Sequence, residues 1–65
     1  MRKYLVTFCY DDYFNSKQYV QDLVIVAKNI EGEEYTEYWI DNIKAYIESK
    51  SFSNPIIVNI IILIE

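Results

Sequence analysis

The chain has 65 residues, a net charge of −4, one cysteine, no histidine, one glycine and one proline. That is room for one small domain, residues 1–65, built on one core. Without histidine there is neither the usual general base near neutral pH nor the commonest metal ligand. A lone cysteine excludes an internal disulfide and a cysteine-based zinc site, so no metal and no cofactor is expected.

Residues 4–10, Tyr-Leu-Val-Thr-Phe-Cys-Tyr, are aromatic and β-branched and read as a first strand. Tyr4, Val6, Phe8 and Tyr10 form its bulkier side and are assigned to the core. Asp11, Asp12, Tyr13, Phe14, Asn15, Ser16 and Lys17 then supply turn formers. A second strand follows over residues 19–27, which makes a hairpin with the first.

Asn29 is the expected N-cap of a helix within residues 31–50. Trp39, Ile40, Ile43, Tyr46 and Ile47 share one stripe at helical spacing, and Glu34, Glu37, Asp41, Lys44 and Glu48 lie opposite. Gly32 weakens the first turn and moves the expected start toward Glu33. Pro55 and its neighbours end the helix.

Residues 56–64 are nearly all isoleucine, valine and leucine, and read as a third strand. The expected fold is α+β: order ββαβ, a three-stranded sheet of order 2-1-3 with one helix on one face. The other face should then be polar. The third strand does not comply. Strict alternation puts Ile56, Val58, Ile60, Ile62 and Ile64 on one side and Ile57, Ile61 and Leu63 on the other. A face this apolar favours association, and small domains need a further source of stability. A homodimer through the third strand or the open sheet face is therefore expected, with Ile57, Ile61 and Leu63 at its interface.

Few residues carry chemistry. Asp11 and Asp12 end a strand, where a carboxylate pair could hold a metal in a phosphodiesterase, and their plainer reading is a polar turn. Cys9 lacks a neighbouring base and reads as a small strand residue. No enzyme is expected. The charge is more informative. Residues 31–50 hold six acidic side chains against two lysines, whereas residues 1–30 are nearly neutral. Direct nucleic-acid binding is disfavoured, because phosphates are neutralised by Lys and Arg. An acidic face suits a basic protein surface instead. Seven tyrosines add contact area with few rotors. The candidate partner-binding residues are Asp11, Asp12, Tyr13, Glu33, Glu34, Glu37, Tyr38 and Asp41.

Phe, Tyr, Met, Ile, Asn and Lys supply 32 of the 65 residues and Gly, Ala, Arg and Pro only 5, which points to an AT-rich gene of a low-GC bacterium or its phage. Cys9 in an apolar run suits a reducing compartment. The N-terminus lacks the features of a signal peptide, and the longest apolar run is about half the ~20 residues of a membrane-spanning helix. The expected location is the cytoplasm of a bacterial host, away from the membrane. In size, acidity and composition the chain resembles the small phage-encoded inhibitors of host defence, anti-CRISPR proteins among them. The resemblance implies occlusion of a bacterial effector, through the acidic, Tyr-rich surface. A homo-oligomeric assembly protein is the alternative, carried by the third strand.

Overall fold

The structure, a computed structural model, describes residues 2–12, 14 and 17–63. Its elements are β1 (Lys3–Asp12), β2 (Lys17–Val26), a 3-10 turn (Ala27–Asn29), α1 (Glu37–Ser49) and β3 (Ser53–Leu63). β1 is central and antiparallel to both neighbours, in the order β2-β1-β3. β2 and β3 are therefore parallel to each other, and α1 connects them across one face. This is the expected ββαβ fold. β1 runs beyond both of its expected ends, and β2 and β3 begin earlier than expected; β2 stops at Val26, one residue short, with Ala27 in the 3-10 turn. Tyr13 and Ile64, placed by the sequence in the loop and the third strand, lie outside the described residues.

The core lies between α1 and the sheet. Tyr4, Val6 and Phe8 of β1, Ile25 of β2 and Trp39, Ile43 and Ile47 of α1 are buried, with Ile30 closing one end. Alternation along β1 selects its three, and spacing of four along α1 selects the others. The Trp39 ring meets Tyr4 edge-on at 5.2 Å. At the far end Phe52 packs against Phe8 at 5.0 Å and Tyr10 at 4.7 Å, and Tyr19 extends the cluster. Side chains of this size dominate burial in so small a domain.

Three sequence expectations need correction. Asn29 does not cap the helix; it lies in the 3-10 turn. The cap is Thr36, whose Oγ1 accepts from the Trp39 amide at 3.2 Å. Gly32 has φ +102°, and Tyr35 follows at φ +68°, so the chain cannot be helical before Thr36. Lys50 stands beyond the last turn, as the C-cap.

The third correction concerns β3. Thr7 pairs with Asn59 and Phe8 with Ile57, so Val58 is an extra residue, a β-bulge. The bulge shifts the alternation by one. Ile57, Ile60 and Ile62 pack on the core side, while Ile56 and Ile61 are exposed on the other. Ile57 is thus removed from the open face, and Ile56 replaces it beside Ile61 and Leu63. Among the described residues no helix is long and apolar enough to cross a membrane.

Candidate functional site

The link between the 3-10 turn and α1 is short of regular backbone bonds and is held by side chains. The Asn42 amide donates to the Glu31 carbonyl at 3.0 Å. The Tyr38 hydroxyl donates to Glu31 Oε2 at 2.9 Å. Thr36 Oγ1 donates back to the Glu33 carbonyl at 2.6 Å. Glu34 turns the other way: it pairs with Arg2 and accepts from the Tyr4 hydroxyl at 3.3 Å. The hydrogen bond and charge of Glu34 hold the Arg2 guanidinium above its ordinary pKa. The link is thereby tied to the start of β1, and Glu34 works inside the molecule.

The acidic set then divides. Glu33, Glu37 and Asp41 are exposed beside the helix start, with Tyr38 next to them. Glu37 and Asp41 are four residues apart, hence neighbours on one face. They flank a shallow groove whose other walls are Tyr35, Thr36, Ile40 and Lys44. Tyr35 is 70% exposed yet its ring rests 5.2 Å from that of Trp39. Its left-handed backbone costs roughly 1–2 kcal/mol for a residue with a Cβ. The groove is therefore lined by an aromatic ring at Tyr35, an aliphatic side chain at Ile40 and two carboxylates at Glu37 and Asp41, with the Lys44 ammonium among them.

Asp11 and Asp12 are not part of it. They end β1, whereas the groove adjoins the strand's start, so the sheet's length separates them. As successive strand residues they point to opposite faces. Asp11 accepts from the Asn54 amide at 3.3 Å, and Asp12 Oδ1 accepts from the Phe14 amide at 2.9 Å, a local turn. The two carboxylates diverge. Among the described residues no three His, Cys, Asp or Glu side chains gather as a metal site.

Tyr35 and Ile40 were not among the candidate residues. Ile40 sits at the margin of the apolar stripe, half-buried, and serves both core and groove. Margin positions are where a periodic pattern says least. No protein family, curated protein or solved structure matches the chain.

Proposed function

We propose that the protein is a non-enzymatic binding module, an inhibitor of the phage-encoded kind that acts in a bacterial cytoplasm by covering a basic surface of a host effector. The observation that carries this reading is the groove at the start of α1. An arginine or lysine stem fits along Tyr35 and Ile40, and its charged head then meets Glu37 and Asp41. Exposed tyrosine beside acidic side chains is recognition surface in many interfaces. A partner surface built to bind nucleic acid has the matching charge.

Affinity capture from a low-GC bacterial lysate, with mass-spectrometric identification, tests the reading. The expected result is a partner held by the natural chain, released by salt, and lost from the double variant Glu37→Lys, Asp41→Lys. A partner retained equally by that variant would sink the proposal. Glu34 is a poor position for the test, because reversing it also breaks the tie to Arg2.

Self-association belongs to the same reading. The apolar sheet face opposite the helix favours a homodimer, either as the inhibitor's working form or as a structural assembly in its own right.

A further inference from the structure

The outer edge of β2 is an open row of backbone groups. The Ala27 amide donates to the Arg2 carbonyl at 2.9 Å, which fixes the phase of the ladder between β1 and β2. Tyr19, Gln21, Leu23 and Ile25 therefore exchange backbone hydrogen bonds with β1, and Gln18, Val20, Asp22 and Val24 turn their N–H and C=O groups outward. Among the described residues no backbone group meets them there. The strand has no proline, and its register with β1 runs without a shift. Val20 and Val24 are 68% and 51% exposed along it. The opposite edge of the sheet, on β3, is interrupted by the Val58 bulge and by Pro55, which has no N–H.

We propose that the β2 edge takes up an extended basic segment of the effector as a fourth, antiparallel strand. A lysine or arginine of that segment stands opposite Asp22, and β-branched side chains two residues to either side stand opposite Val20 and Val24. Main-chain hydrogen bonds supply the docking, and the side chains at alternate positions supply the selection. The inference rests on the binding reading above and adds a second contact to the groove.

Charge selects the occupant. Asp22 is exposed in the middle of the edge strand, and Oδ1 accepts from Thr7 Oγ1 at 2.8 Å. A carboxylate keeps further acceptor positions when one is taken, and opposite charges directly across a strand pair attract. Lys3 pairs with Val26, and Lys17 begins the strand, so each stands at least four residues from Asp22, ~13 Å or more along the strand. Neither crowds an incoming cation.

A second copy's β2 fits the same edge poorly. Its two longest antiparallel registers that keep the outward groups opposed centre on Asp22 or on Gln21. The first sets Asp22 directly against Asp22 of the second copy. The other leaves the two on the diagonal, about 7–8 Å apart and inside the Debye length. Registers that carry them further apart shorten the paired strand. A basic segment meets no such repulsion from a chain of net charge −4. On the helix side, α1 lies against β3 more than against β2, and Tyr19 and Gln21 stay exposed. They are the surface that receives the segment's alternate side chains.

The probe is a blocked heptapeptide, Thr-Val-Thr-Lys-Thr-Val-Thr, added to the natural chain while amide exchange is read residue by residue by nuclear magnetic resonance. At millimolar peptide the Val20, Asp22 and Val24 amides should exchange more than twofold more slowly. The Tyr19, Gln21 and Leu23 amides, already bonded to β1, should change little. A glutamate in place of the peptide's lysine should weaken binding more than tenfold, and Asp22→Lys should reverse that preference. No slowing at millimolar peptide, slowing confined to amides outside β2, or equal binding of the two peptides overturns the inference. These readings need no variant to fold.

Val20→Pro removes an outward donor and no bond to β1, so it should keep the far-ultraviolet circular dichroism and lose the peptide. The variant also separates this inference from the groove. An effector captured from lysate equally by the natural chain and by Val20→Pro overturns the edge contact and leaves the groove reading standing. A natural chain that binds the peptide but releases no effector signal on Glu37→Lys, Asp41→Lys keeps the edge and overturns the groove.

Discussion

Two backbone positions show how single residues set the link before α1 and the turn after it. Gly32 has φ +102°, and a Cβ there would stand 2.8 Å from the Tyr38 ring and 3.3 Å from the Trp39 amide. Gly32→Ala should therefore lower stability by about 1–2 kcal/mol. Ser51 presents the opposite case. It follows the Lys50 C-cap at φ +74°, and its amide donates to the Glu48 carbonyl at 3.0 Å. That is the position where helices usually carry glycine, and serine is strained there. Ser51→Gly should raise stability by roughly 1 kcal/mol. Urea unfolding of the two variants measures both signs. The buried core was largely legible from the sequence, because Tyr4, Val6, Phe8, Trp39, Ile43 and Ile47 each follow the period of one element. The positive φ values of Tyr35 and Ser51 were not, since nothing in a tyrosine or a serine announces a left-handed backbone.

At the scale of elements, the helix start shows what capping decides. Asn29 and Thr36 are both residues that cap well, but only Thr36 has helical residues after it and a Trp39 amide to accept from. Thr36→Ala should cost about 1 kcal/mol, whereas Asn29→Ala should stay within about 0.5 kcal/mol. Comparing the two urea midpoints checks the assignment. β3 illustrates the limit of pattern reading. Its composition identifies a strand, yet the run from Ile56 to Leu63, broken only by Asn59, contains no mark of the bulge at Val58. Val58 becomes the extra residue only because β1 dictates which positions face Phe8 and Thr7. The error from ignoring it is one position, which in a strand means the opposite face. The charge of the candidate site was legible in the same partial way. The acidity of residues 31–41 can be counted, but which carboxylates turn inward depends on Arg2 and Tyr4, some thirty residues earlier.

At the scale of the whole molecule, one helix covers one side of a three-stranded sheet and leaves the other side exposed. A dimer that buries that side gains stability by mass action, so the urea midpoint should rise with protein concentration. A midpoint constant over a hundredfold range of concentration would mean that the single chain holds its fold alone. The helix on one side and the exposed apolar face on the other also determine what such a pair could reach. The groove at the helix start and the apolar face point in opposite directions, so joining two copies by the face hides neither groove. The two grooves then look outward from opposite sides. A pair built this way would not clamp a single effector from two directions. It would be a connector, taking one effector on each side and holding the two a fixed distance apart. Inhibition by such a molecule would depend on how many effectors are present as well as on how tightly each one binds.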